Sequence, residues 1–326
     1  MPSAYFDPLP AADRDLLKRL GVVFAALFVL TAAFSFLVRT YSQKFYDVTG
    51  EARWIWARHP MSANEPVAFF AAKDVELPEQ RLFTHVKVLG DPEYTLYVNG
   101  QKIAGQRVGE GRKIHVYDVS DLVKTGRNRV VVAVRAPQGF GGLIAAVDIA
   151  PETRNWVVTD ASWRIYRRWD PLLLERDLSA GWEPPFVVGE PPVGRWNFLD
   201  LDERERAAPV QEVQPAREIF AVDGFEPRNP TRGGMAVATA DARKATAFDF
   251  GFTRGRLRVT VNRDRPFSRA VLLRYANARE ELPLIEWNLR AVVLAPGERV
   301  VEVPETNENF RYVMAFADDV TVEVIR

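Results

Sequence analysis

Hydrolysis of a glycosidic bond needs two carboxylates facing each other across a cleft, one as acid and the other as base or nucleophile. The 326-residue sequence holds 43 Asp plus Glu, and no spacing among them singles out such a pair. Cysteine is absent, which removes thiolate nucleophiles, disulfides and thiolate metal sites together. His59, His85 and His115 stand at no ligand-like spacing, and the last two fall inside strand-like runs, so they read as strand or surface residues. Asp249-Phe250-Gly251 matches the kinase magnesium triplet by letters alone. No catalytic-loop motif, Gly-rich phosphate loop or strand lysine accompanies it, so it reads as a strand followed by a turn. Gly139-Phe140-Gly141-Gly142 lacks the Gly-Lys-Ser/Thr ending of a phosphate loop and leads into a strand; it reads as a flexible loop.

The chemistry that remains is aromatic. Sugars present C–H faces that stack on Trp and Tyr, while their hydroxyls donate hydrogen bonds to Asp, Glu and Asn and accept them from Asn and Arg. Trp54 and Trp56 share a face at period two and read as core, as does Trp163 at a strand start. Trp169, Trp182 and Trp196 stand in an aperiodic, Pro- and Gly-rich stretch, where loops carry binding groups on a rigid scaffold. These three are the candidate carbohydrate-binding residues; no catalytic residue is assigned.

The elements that must hold these aromatics read as all-β. Tyr94-Thr-Leu-Tyr-Val98 runs into Asn99-Gly100, a strong hairpin signal, and Ile103 resumes the partner strand. Further strands are expected at Leu82 to Val88, Lys113 to Tyr117, Arg129 to Arg135, Leu143 to Ile149 and Trp156 to Thr159. Periodicity fades between Asp170 and Pro215, then strands return from Thr246 to Ile325, so a domain boundary is placed near Pro209. The expected layout is a first sandwich over 51–208 and a second over 209–326. Lys plus Arg total 43 and offset the acids, so no basic field is available for nucleic acid.

From Leu20 to Val38 the chain carries no charge, and 19 helical residues reach about 28 Å, close to the hydrocarbon thickness of a bilayer. The run exceeds a cleaved signal's apolar region, and no small-x-small cleavage site precedes Arg39. It reads as an uncleaved signal anchor, with 1–19 as a cytoplasmic tail and 39–50 as a juxtamembrane linker. Arg14, Lys18 and Arg19 precede the span and Arg39 and Lys44 follow it, a slight bias for the N-terminus inside.

RWIWA (Arg53 to Ala57), YTLYVNGQKIAG (Tyr94 to Gly105) and HVYDVSDLVKTGRNRVVVAV (His115 to Val134) resemble the galactose-binding-like jelly roll at the front of bacterial α-L-rhamnosidases. In that pattern Asp118 and Ser120 would cap a helical turn ending at Gly126. FDFGFTRGRLRV (Phe248 to Val259), VLLRYA (Val271 to Ala276) and NFRYV (Asn309 to Val313) are similar to the β-sandwich that precedes the catalytic barrel of those enzymes. The resemblance implies a galactose-binding-like jelly roll followed by a second sandwich, and it permits a structural calcium whose ligands no acidic cluster identifies. In those enzymes a helical barrel carries the catalytic carboxylates, and the sequence stops where the barrel would begin.

The expected function is a membrane-anchored, non-catalytic carbohydrate-binding protein acting on an envelope or secreted polysaccharide, held at a bacterial inner membrane with its sandwiches in the periplasm. Two alternatives keep the same fold: a protein-binding adaptor of a polysaccharide assembly or export machine, and the binding half of a split rhamnosidase. Neither reading requires a cofactor.

Overall fold

The computed structural model describes residues 11–58, 65–78, 83–107, 113–149, 154–196, 201–204, 213–222, 245–283, 289–303 and 309–325. One helix, α1 (Ala11–Thr49), opens the chain and runs on through residues 39–49. Its segment Asp15–Thr40 has a mean hydropathy of 2.5 and is long and apolar enough to cross a membrane. The side chains of Leu20 and Val38, the ends of the uncharged run, are exposed, as are all those between them. Gly50, at φ 61°, takes the left-handed conformation that ends many helices.

Thr49–Arg326 is a second, all-β unit. Its strands are, in chain order, β1 (Trp54–Trp56), β2 (Val67–Leu77), β3 (His85–Asp91), β4 (Glu93–Val98), β5 (Gln101–Arg107), β6 (Ile114–Asp118), β7 (Gly126–Ala136), β8 (Gly142–Asp148), β9 (Val157–Val158), β10 (Arg164–Tyr166), β11 (Trp182–Glu183), β12 (Phe186–Gly189) and β13 (Leu201–Arg204). There follow β14 (Val213–Gln214), β15 (Glu218–Val222), β16 (Ala245–Thr253), β17 (Arg256–Val261), β18 (Arg269–Ala276), β19 (Leu289–Leu294), β20 (Val300–Val303), β21 (Phe310–Ala315) and β22 (Val320–Ile325). The first thirteen form two sheets, ordered β12-β1-β8-β3-β6-β13 with β9 beside β8, and β11-β10-β2-β7-β4-β5. Between them lies a core that includes Phe69, Val88, Tyr94, Val132, Ala145 and Trp163. The remaining nine form the sheets β14-β22-β17-β20 and β15-β16-β21-β18-β19, closed over Phe248, Phe250, Val259, Leu273, Val313 and Val322.

The hairpin signal at Asn99-Gly100 forms the β4–β5 turn, with φ of 49° and 85° at its two residues. The same asparagine ties this turn to the next motif. Its side-chain amide donates to the Leu122 carbonyl (2.8 Å) and to Asn128 Oδ1 (2.9 Å), and its Oδ1 accepts from the Arg129 amide (2.8 Å). Asn128 in turn binds the backbone of Lys124 and Gly126. Asp118 Oδ1 accepts from the Ser120 amide (2.9 Å), which closes a turn over residues 120–122 and not the helical turn the sequence suggests.

Strand β2 is the element that periodicity does not reveal. Its opening run VAFFAA is apolar throughout because the strand is covered on both faces. Val67, Phe69 and Ala71 enter the first core, while Ala68, Phe70 and Ala72 pack with Tyr166, Leu173, Val293 and Ala295. The last two belong to β19 and the turn after it, so this second face is the junction between the two pairs of sheets. Ion pairs cross the junction as well: Arg135 with Glu298, both side chains nearly fully buried, Lys102 with Glu302, and Arg290 with Glu93 at 3.7 Å. Burial pushes the Glu93 carboxyl above its ordinary range, against the pull of Arg290, Arg135 and Arg107.

Candidate functional site

The segment from Asp160 to Glu183 carries two of the three candidate tryptophans. Asp160 Oδ1 accepts from the Ser162 amide (2.8 Å), a turn that drives Trp163 into the core, where its indole N–H donates to the Val158 carbonyl (2.8 Å). β10 then adds to the edge of β2, with Tyr166 opposite Phe70 and Arg164 opposite Ala72. Past Tyr166 the chain crosses the outer face of the sheet. Asp170 caps a short 3₁₀ turn, Pro171–Leu174, by accepting from the Leu172 amide (2.9 Å), and Leu173 is buried in the junction. Gly181, at φ 82°, turns the chain back into β11, which lies antiparallel to β10.

That register decides where Trp182 points. Trp182 is opposite Tyr166, so it shares a sheet face with Tyr166 and with Arg164 two residues away. The Arg164 guanidinium lies 4.5 Å from the indole centroid, and Trp182 is 42% exposed. Such a cation stacked on an exposed indole contributes about 0.5–1 kcal/mol and holds the ring in one orientation. Asp177 pairs with Arg164, lies 3.5 Å from Arg129, and accepts the Tyr166 hydroxyl. Beside Trp182 in sequence, Glu183 Oε1 accepts from Arg167 Nε at 2.8 Å and from the Arg58 amide at 3.3 Å. The arrangement is an exposed indole stacked on Arg164, with Asp177 paired to that arginine, while Glu183 faces the other side of the sheet.

Trp169 and Trp196 lie elsewhere. Trp169 is half-buried at the junction, 5.0 Å from Phe70 and 6.5 Å from Tyr97 between ring centroids, and its amide donates to the Pro296 carbonyl (2.8 Å). The exposure expected for Trp196 does not occur: the residue is 6% exposed, stacked on Trp54 at 4.3 Å, with its indole N–H donating to Asp91 Oδ2 at 2.7 Å. An aromatic surrounded by Pro and Gly in the sequence is here the lid on a buried tryptophan. Trp54 and Trp56 are both fully buried, as expected of core residues, but a register shift between Trp54 and Ile55 gives them different neighbours. Trp56 meets Phe69 edge-on while Trp54 stacks on Trp196. Sequence reasoning passed over Trp156, which is 48% exposed beside β9 with its indole N–H donating to the Glu76 carbonyl at 3.3 Å.

The Gly139–Gly142 loop is a close-approach device and not a flexible connection. A Cβ at Gly141 would sit 2.0 Å from the Asp91 carbonyl oxygen and 2.6 Å from the Trp56 ring. One at Gly142 would sit 2.6 Å from Trp196 and 2.7 Å from Trp54. Only glycine lets the strand start pass these three indoles. The Asp249-Phe250-Gly251 triplet lies in a strand that ends in an irregular stretch: Asp249 Oδ1 accepts from the Gly251 amide (2.7 Å), and hydrogen bonds from Arg311 hold its carboxyl below the ordinary range. Among the described residues no group of three or more His, Asp and Glu could hold a metal ion; His59 lies outside them.

No protein-family model matches the chain, and no curated protein does. Solved structures do. An α-L-rhamnosidase from Dictyoglumus thermophilum aligns with a TM-score of 0.50 and 17% identity over 84% of this chain and 35% of its own. An α-L-rhamnosidase from Aspergillus terreus aligns with a TM-score of 0.50 and 16% identity over 84% of this chain and 36% of its own. The fold is rhamnosidase-like. At these identities the likeness is one of fold, and the chain spans about a third of the length of the two enzymes. A lectin from Pleurotus ostreatus in complex with GalNAc aligns at a TM-score of 0.40 and 15% identity over 85% of this chain and 74% of its own. In this rhamnosidase-like fold the exposed Trp182 stands on an edge strand of the first pair of sheets, and the buried Trp196 packs against the opposite sheet of that pair.

Proposed function

We propose that the chain is a membrane-anchored, non-catalytic carbohydrate-binding protein that works on an envelope or secreted polysaccharide, with Trp182 as its stacking platform. The observation that carries this reading is the exposed indole itself, held on a strand edge by Arg164, with Asp177 paired to that arginine. A pyranose ring laid on Trp182 would present its hydroxyls to Arg164 and Asp177. The rhamnosidase-like fold supports the same reading, since the enzymes that share it are rhamnosidases. The apolar helix supports anchoring, with the N-terminus in the cytoplasm and the sandwiches in the periplasm of a bacterial inner membrane. Affinity electrophoresis of the full chain in detergent, through gels containing bacterial polysaccharides, tests it. Retardation by at least one polysaccharide is expected, and unchanged mobility in all of them would count against the function.

A further inference from the structure

We infer that Trp156 is a second saccharide platform on the same edge of the first pair of sheets as Trp182, so that the ligand is a polysaccharide chain held at two points and not a single sugar. The inference rests on the saccharide reading of Trp182 and extends it. Trp156 is 48% exposed, and its indole N–H donates to the Glu76 carbonyl near the end of β2 (3.3 Å). β7 fills one side of β2 from Val67 to Leu77, so the groups that meet the strand's other side share one edge. β10 occupies that side only from Phe70 to Ala72, with β11 and Trp182 beyond it. Past the end of β10 the edge belongs to the Asp160–Ser162 turn, where Lys73 Nζ donates to Ser162 Oγ (2.5 Å), and then to Trp156.

Register sets the spacing. Trp182 stands opposite Tyr166 and Tyr166 opposite Phe70, while Trp156 meets Glu76, six residues further along β2. At about 3.3 Å per residue the two indoles lie roughly 20 Å apart along the strand, more than two linked sugars bridge. Between them stand groups that match sugar hydroxyls: the exposed Ser162, and the partly exposed Asp74, which pairs with Arg127 at 2.9 Å. The Trp156 N–H is spent on the Glu76 carbonyl, whereas an aromatic anchoring the protein at a membrane surface directs its polar end to the wet side. Once one platform holds a chain, binding at the other is intramolecular, so a chain long enough to span both gains affinity that a short fragment lacks.

The test uses the full chain in detergent and the bacterial polysaccharide that retards it, intact and as size-fractionated hydrolysis fragments. For the wild type, Kd should fall at least about tenfold once fragments are long enough to reach both indoles. Trp156→Ala should abolish that step, with short fragments still bound at Trp182 and the melting temperature close to wild type. Trp156→Leu, which fills the same space without a flat ring, should do the same, and Trp156→Phe should keep most of the step. Phe267→Ala, at a 79% exposed aromatic on the β17–β18 connection, should keep all of it. Affinity independent of chain length in the wild type, or an undiminished step in the Ala and Leu variants, would overturn the second platform and leave Trp182 as a saccharide site. A wild-type chain that binds no polysaccharide would overturn carbohydrate binding itself, and this site with it.

Discussion

Replacing Trp196 with Ala tests whether that residue is core or ligand platform, and the structure sets the size of the effect. The substitution removes the ring stacked on Trp54, opens a cavity against a fully buried indole, and leaves Asp91 with one fewer donor. Losses of this kind cost about 3–5 kcal/mol. For a β unit of this size each kcal/mol lowers the melting temperature by about 2–4 °C, so a fall of roughly 10 °C is expected. Trp196→Phe keeps most of the stack and deletes only the hydrogen bond, which should cost about 1–2 kcal/mol. Trp182→Ala loses a stacked cation and one cross-strand neighbour at an exposed edge, about 1 kcal/mol together. Thermal unfolding of the full chain in detergent, followed by near-ultraviolet circular dichroism, should place Trp196→Ala as the least stable variant, Trp196→Phe next and Trp182→Ala as the most stable. A Trp196→Ala protein that melts with the wild type would refute the core assignment, and so would a Trp182→Ala protein that melts as early.

Three further outcomes are expected. Gly141→Ala should lower the melting temperature by several degrees, because its methyl group would collide with the Asp91 carbonyl, whereas Gly100→Ala, with open space around it, should show only the milder strain of a positive φ. Asp249 and Asp319 have carboxyls held below the ordinary range, first by hydrogen bonds from Arg311 and Arg269, so their stabilisation is present above the ordinary carboxylate pKa of about 3.9 and is lost as pH falls through the lower folded-state value. Acid titration of the melting temperature should show that loss, and Arg311→Gln with Arg269→Gln should flatten the curve. Alkaline phosphatase fused after Arg326 should be active in a bacterial host if the sandwiches lie outside the cytoplasm; an inactive fusion with a fluorescent cytoplasmic reporter at the same point would reverse the orientation.

The parts of the fold legible in the sequence are those where one face of a strand is wet or a turn demands a particular residue. Asn99-Gly100 specified its hairpin because both residues need positive φ, and the Gly-x-Asn at Gly126 to Asn128 specified the start of β7 because Asn128 closes the preceding turn. β2 was not legible, since burial on both faces erases the alternation that marks a strand. The site was legible in part for a related reason. Pro and Gly around Trp169, Trp182 and Trp196 signal a chain leaving regular structure, but not which side chains it leaves in water. The edge position of β11 left Trp182 partly in water although its cross-strand partner Tyr166 is buried, while Gly142 made room for Trp196 against Trp54. Only long-range contacts separate the two cases, and a local pattern does not contain them.

The central claim is that Trp182 is where a saccharide sits. A glycan array probed with the full chain in detergent, followed by titration of each retained saccharide against wild type and Trp182→Ala, tests it most directly. Stacking of a sugar face on an indole that contributes about 1–2 kcal/mol corresponds to a roughly five- to thirtyfold weaker Kd in the variant, with the melting temperature close to wild type. Retention of saccharides with equal affinity by both proteins, or loss of binding only in variants that also unfold early, would contradict it.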